Sequence, residues 1–282
     1  MKTQRLAFVD YRLENFHANE FLKLLRHELQ ERDVVVSGCH ALNEPAGRLW
    51  AQTNAVPYFA NIGALNDHAD CFMVLAPSNP EVHLDLCQRV FPFGKPTYVD
   101  KTFAPDLATA REIFALADRY RVPVQTTSAL RYTNVQTFVR TAGVRHVVAW
   151  GGGRSFAEYA IHPVELAVSC LGPEAVSLLR RGTGQYSQLL LNFSGDRTAV
   201  INVYPNTDTP FAASVTTDTE TKLITVDGAT LFVDALTGIL DFFDAGRPNI
   251  DRAESLMIRQ ILDVAEQPAA LTGFVNLEAV ES

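Results

Sequence analysis

The sequence predicts an α/β protein: a parallel sheet covered by helices on both faces, followed by an α+β domain built on an open antiparallel sheet. Three observations lead there. From Leu6 to Val124, short apolar runs alternate with segments whose apolar residues recur at helical spacing. The runs are nearly continuous in apolar residues, as strands buried on both faces require. After about Thr127 the rhythm becomes a two-residue alternation broken by tight turns, the pattern of strands with one buried face.

The elements follow in order. Leu6 to Val9 reads as the first strand, and Phe21, Leu25 and Leu29 set a helix over 16–29. Val34 to Val36 is a second strand, and Asn43 to Thr53 a helix or turn. Cys71 to Ala76 is an apolar strand, broken by Pro77 and Pro80 before Val82 to Val90 opens a helix. Thr97 to Val99 are strand formers. Pro105 and Asp106 supply a helix start, Leu107, Ala110, Phe114 and Ala117 carry that helix to Tyr120, and Val122 to Val124 begins the next extended segment. Gly151 to Gly153 read as a flexible turn, and Phe156 to Leu171 as one helix closed by Gly172 and Pro173. Ser187 to Phe193, Thr198 to Tyr204, Ala212 to Thr217, Lys222 to Val226 and Thr230 to Val233 read as strands. One face of this sheet packs on a helix. The other is open to solvent or a partner subunit, and pairing through it into a homodimer or homotetramer is the expectation. Glu254 to Ala265 closes the chain as a helix. The predicted domains are 1–127 and 128–282, with the last helix packing back on the first.

Composition narrows the function classes. The 282 residues are 47% hydrophobic and 20% charged, ordinary for a globular protein. A formal charge of -8 and the absence of any basic run argue against nucleic acid as a partner. Cys39, Cys71, Cys87 and Cys170 are scattered without a C-x-x-C pair, which speaks against a disulfide framework or a structural zinc. Acidic residues near the N-terminus precede any signal-like run, and no stretch is long enough to span a bilayer. A cytoplasmic location is expected, with no membrane partner.

Several side chains stand where chemistry is done. Lys101 falls at the end of a predicted strand, and ligands of open parallel sheets bind beyond the carboxyl ends of the strands. A solvated surface lysine is the plain alternative. Glu158 and His162 are one helical turn apart, so the carboxylate can orient the imidazole as a general base needs; a solvated contact is the alternative. Glu165 shares that stripe, but no third metal ligand stands near, and no metal is expected. His17 and His83 each open a helix and either act there or simply cap and pack it.

Taken together, A-P-S-N-P-E-V-H (76–83), V-D-K-T (99–102), L-A-T-A-R-E-I-F-A-L-A-D-R-Y-R-V-P-V (107–124), E-Y-A-I-H-P-V-E-L (158–166) with a following L-G, and A-G-R-P-N-I-D-R-A-E-S-L-M-I-R-Q-I-L-D-V-A-E-Q (245–267) resemble the Gfo/Idh/MocA oxidoreductase family over nearly the whole chain. The resemblance implies a Rossmann-like domain joined to an α/β domain with an open antiparallel sheet. It also implies a small-molecule substrate, a sugar, polyol or related hydroxy or keto compound, and NAD or NADP as cofactor. The family's Glu-Lys-Pro motif falls on Asp100, Lys101 and Thr102, and its acid-x-x-x-histidine pair on Glu158 and His162. By that likeness His162 is acid or base, Glu158 its orienting partner, and Lys101 a proton relay or polarising group. Thr102 replaces a proline whose preceding bond can be cis, so a different local backbone is expected here.

Tyr11, Arg12, Pro77, Asn79, His83 and Lys101 are the candidate cofactor contacts, and Arg131, Tyr132, Arg154 and Tyr159 the candidate substrate contacts. The family's glycine fingerprint is absent: aligned on His17, its three glycines fall on Val9, Tyr11 and Glu14. Those glycines let the backbone approach a pyrophosphate. Tyr11 would block the approach, and Glu14 adds a like charge worth roughly 4 kcal/mol of repulsion at about 4 Å. The acidic residue expected after the second strand is also missing, with Ser37, Gly38, Cys39 and His40 standing there. Three functions follow: a dinucleotide-dependent oxidoreductase with Arg12 or Arg48 neutralising the phosphates, a cofactor-independent acid-base enzyme on a sugar-like substrate, or a non-catalytic binding or partner subunit.

Overall fold

The computed structural model describes residues 3–139 and 143–280. They form two compact units: the first runs to Thr126 and takes in Leu236–Ile250, and the second comprises Thr127–Ala235 and the chain from Asp251.

The first unit is built from β1 (Gln4–Asp10), α1 (Phe16–Arg26), β2 (Val34–Ala41), α2 (Glu44–Thr53), α3 (Ile62–Asp67), β3 (Cys71–Val74), α4 (His83–Val90), β4 (Thr97–Asp100), α5 (Leu107–Tyr120) and β5 (Val124–Thr127). The strand order is β2-β1-β3-β4-β5. β1 pairs in parallel with β2 and with β3, and β3 with β4. Every residue of β3 and β4 is buried, which is why these strands read as unbroken apolar runs. From β1 the chain turns one way to β2 and then crosses to β3 on the other side, so the switch point lies between β1 and β3. Side-chain oxygens cap the helices: Asn15 accepts from Ala18 N, Asn43 from Ala46 N and Asp106 from Thr109 N.

β2 runs five residues beyond its expected end at Val36. Gly38 suggests a break in the sequence, but a Cβ there would come within 2.6 Å of the Phe59 ring, so the glycine serves close packing inside a strand. The register with β1 slips at this point, leaving Ser37 as the extra residue.

The second unit contains α6 (Asn134–Val139), β6 (Val144–Gly153), α7 (Phe156–Tyr159), α8 (Ile161–Leu171), β7 (Ala175–Arg181), β8 (Ser187–Phe193), β9 (Arg197–Pro205), β10 (Ala212–Thr217), β11 (Thr221–Thr225), the start of α9 (Leu231–Ala245), α10 (Arg252–Ala265) and β12 (Val275–Asn276). The sheet order is β11-β10-β6-β9-β8-β7-β12, antiparallel except for the parallel pair β6–β9. Val147, Ala149, Leu189, Leu191, Ile201 and Val203 share one core with Val164 and Val168 of α8 and Ile258 and Ile261 of α10. On the opposite face Leu223, Ser214, Val148, Val200, Leu190 and Leu179 are direct cross-strand partners in one row, and all are half-buried or exposed.

Five sequence expectations are corrected here. Gly151 to Gly153 are not a turn but the end of β6, paired with Val203 to Pro205. A Cβ on Gly153 would lie 2.1 Å from the Tyr159 ring, and Gly153 has φ +137°, so the glycines answer to crowding. The helix expected over 156–171 is divided at Ala160, because Pro163 has no N–H to give the carbonyl one turn before it. Thr230 to Val233 do not form a strand: Leu231 opens α9, with Thr230 Oγ1 donating to Asp234 at 2.6 Å. Nor is the second domain continuous. Leu236, Ile239, Leu240 and Phe242 of α9 are fully buried, Arg32 pairs with Asp241 and Asp244 at 2.8 Å, and this stretch belongs to the first unit. α10, expected to return to the first domain, stays in the second. Among the described residues, no helix is long and apolar enough to cross a membrane.

Candidate functional site

Lys101 follows the last residue of β4 and is only 6% exposed. Its Nζ donates to the carbonyl of Pro77, 3.4 Å away beyond the end of β3. The amine is therefore a buried cation at the carboxyl edge of the parallel sheet, where it can polarise an oxygen or hold a proton. The Lys101–Thr102 bond is cis, so the altered backbone expected from Thr102 is not found.

Asp100, with no exposed surface, anchors this corner. His17 Nδ1 lies 2.5 Å from Asp100 Oδ2, while Oδ1 accepts from Tyr98 Oη at 3.2 Å and from Lys101 N at 2.8 Å. Burial alone would raise the Asp100 pKa, but the charge and hydrogen bond of His17, together with Lys101, more than offset it and hold the group below the usual carboxylate value. The sequence showed His17 only as the start of a helix.

His83 is fully buried, with both ring nitrogens against backbone carbonyls. Its Nδ1 lies 3.0 Å from Phe103 O, and its Nε2 lies 2.7 Å from Leu75 O and 3.2 Å from Ala76 O. It ties the loop after β3 to the loop that carries Lys101. Pro77 is buried, with its carbonyl on Lys101, and Asn79 donates to Glu81 at 2.9 Å.

The loop between β1 and α1 is held by Asp10, which is 1% exposed. Its Oδ1 accepts from Arg12 N at 3.1 Å, and its Oδ2 accepts from Asn15 Nδ2 at 2.8 Å and from Ala76 N at 3.0 Å. Leu13 is buried with φ +65°, the left-handed conformation a glycine would adopt without strain. Tyr11, Arg12 and Glu14 are exposed.

The longer β2 changes the reading of its carboxyl end. The residues beyond it are Leu42, Asn43 and Glu44, so an acid does stand past β2, where the sequence reading found none. Glu44 pairs with Arg48 at 2.7 Å, and the Arg48 guanidinium sits 4.7 Å from the Tyr58 ring centroid, so Arg48 already has partners.

In the second unit, Glu158 lies in α7 and His162 in α8, both half-buried. The His162 ring packs between those of Tyr159, at 5.8 Å, and Phe211, at 5.5 Å. Glu165 is buried: Oε1 accepts from Thr127 Oγ1 at 2.9 Å and Oε2 from Ser128 N at 2.8 Å. Among the described residues no group of three potential ligands could hold a metal ion. Burial raises the Glu165 pKa, and the nearby Arg131 charge offsets part of that rise. Arg131 itself is paired with Glu254, and both side chains are largely buried. Tyr132 is half-buried and Arg154 exposed.

No protein-family model and no curated protein matches the sequence. Solved structures do match in fold. The myo-inositol dehydrogenase of Lactobacillus casei, in complex with NAD(H) and myo-inositol, superimposes with a TM-score of 0.82 at 12% identity, over 100% of this chain and 98% of that one. The myo-inositol 2-dehydrogenase of Lactobacillus plantarum gives 0.80 at 13% identity, over 98% of this chain and 100% of that one. An NAD-bound protein of gentamicin A biosynthesis gives 0.81 at 15% identity, over 99% and 97%. From end to end, this chain has the fold of the inositol-dehydrogenase type of oxidoreductase.

Proposed function

We propose that the protein is an NAD(P)-dependent oxidoreductase acting on a sugar, polyol or related small hydroxy or keto compound. The observation that carries this reading is the buried Lys101 amine at the carboxyl edge of the sheet, in a fold held in common with a myo-inositol dehydrogenase in complex with NAD(H). In it, Lys101 polarises the reacting oxygen, and His162, oriented by Glu158, takes or gives the proton. The bound nicotinamide would supply the hydride chemistry.

Residues suited to the two ends of such a cofactor are present, and residues suited to its middle are not. Glu44 offers an exposed carboxylate for ribose hydroxyls, and Lys101 offers its amine. The loop after β1 does not fit a pyrophosphate, because Asp10 already holds its Arg12 amide and Glu14 adds a second negative charge. The same observation favours a second reading, acid-base chemistry by Lys101, Glu158 and His162 on a sugar-like substrate without a dinucleotide. Thermal unfolding with NAD+, NADH, NADP+ and NADPH separates the two. At about a hundred times Kd, a bound dinucleotide adds about 2.7 kcal/mol and raises Tm. No shift with any of the four would remove the oxidoreductase reading.

The uncovered row from Leu223 to Leu179 supports pairing of two copies through the open sheet. Leu190→Glu, in the middle of that row, is expected to shift the sedimentation profile to monomer. An unchanged profile for a multimeric wild type would refute this interface.

A further inference from the structure

We infer that the Asp10 carboxylate is the anion held by the loop after β1, bridging the switch point of the sheet where dinucleotide phosphates would otherwise enter. The inference deepens the oxidoreductase reading and rests on it: it names the group that limits this protein's affinity for its cofactor.

Ligands of open α/β sheets bind in the crevice where strand order reverses, beyond the carboxyl ends of the strands, and a pyrophosphate there lies against the amides of the first loop and helix. In this chain the reversal lies between β1 and β3. Asp10 ends β1, and its Oδ2 reaches the amide of Ala76, just past the end of β3, at 3.0 Å. One side chain thus spans the two strands flanking the crevice. Its other oxygen takes the Arg12 amide, and Asn15 binds the carboxylate with Nδ2 while using Oδ1 to cap Ala18 N. At this mouth the amides of Arg12, Ala18 and Ala76 and the Asn15 Nδ2 group, donors a phosphate could otherwise use, are engaged by groups of the chain itself. The loop is further tied to β2, with Leu42 N on Asp10 O at 3.0 Å and Asn43 N on Tyr11 O at 2.7 Å.

The arrangement explains how the loop keeps a tight turn without glycines. A carboxylate with three donors from two loops supplies internally the negative charge that a bound phosphate would bring. A phosphate entering beside it would meet a like charge, and at about 4 Å with an effective dielectric near 20 such repulsion corresponds to about a thousandfold in affinity, an upper limit because the three donors partly neutralise Asp10.

The test is calorimetric titration of NADH into wild type, Asp10→Asn and Asp10→Gly, with Tm measured without ligand. The expected result is opposite motion of the two readouts: both variants melt lower, having lost hydrogen bonds between loops, and both bind NADH at least tenfold more tightly. A purely structural Asp10 would lower Tm and weaken or leave unchanged the binding. In the wild type, millimolar inorganic pyrophosphate should neither raise Tm nor displace NADH, and displacement would overturn the inference even if neither variant folds. If wild type binds NADH and the folded variants show no gain, this inference fails while the oxidoreductase reading stands. If only the variants bind, the inference stands and the wild-type chain works without a dinucleotide. If none binds, both fail.

Discussion

Replacing Asp100 with alanine is expected to cost about 3–5 kcal/mol of stability, because removing a buried, hydrogen-bonded carboxylate leaves its partners desolvated and uncompensated. The partners are specific: His17 Nδ1 at 2.5 Å, Tyr98 Oη at 3.2 Å and the Lys101 amide at 2.8 Å. Urea unfolding measures the loss, and a change below about 1 kcal/mol, the worth of one ordinary hydrogen bond, would refute the network. The pH dependence gives a second check. Folding lowers the Asp100 pKa, so its contribution is complete above the unfolded carboxylate value of about 3.9 and fades as pH falls through the lower folded value. Wild type should therefore lose an increment of stability on acidification below about pH 4 that Asp100→Ala has already lost.

Arg131→Ala is expected to cost about 3 kcal/mol by leaving Glu254 without its cation and the buried Glu165 without a nearby positive charge. Here the pH effect has the opposite sign. Burial raises the Glu165 pKa, so the stability linked to its protonation is complete below the unfolded value of about 4.3 and is lost as pH rises through the folded value. Removing Arg131 raises that folded value further, and the variant should recover part of its deficit when pH is lowered from neutral toward 5. If Arg131→Ala unfolds with the same deficit at both pH values, the coupling to Glu165 is absent. Arg131→Met with Glu254→Gln should restore most of the loss, since it removes both members of the pair.

The parallel sheet was legible because its strands are buried on both faces and its helices are amphipathic, so apolar spacing alone reported them: Cys71 to Val74 and Leu107 to Tyr120 are strand and helix as read. Two of the misread segments share one cause. Gly38 and Gly151 to Gly153 look like breaks because glycine is permissive, yet each lies within a strand where a neighbouring ring, proline or backbone leaves no room for a side chain. At Thr230 to Val233 the local strand preference of threonine and valine yields to the burial of the α9 residues that follow. Lys101 was found from its place at a strand end, but Asp10 carried no motif, and the acid past β2 was hidden by a strand end placed too early.

By itself the sequence determined the order and kind of most elements and the residue types brought to the carboxyl edge of the sheet, because hydrophobic periodicity and helix capping act over a few residues. Only the tertiary structure decided which of those groups are engaged. Asp10 meets the Ala76 amide 66 residues away, and His17 meets Asp100 across 83, and no local pattern encodes a hydrogen bond between segments so far apart in the chain.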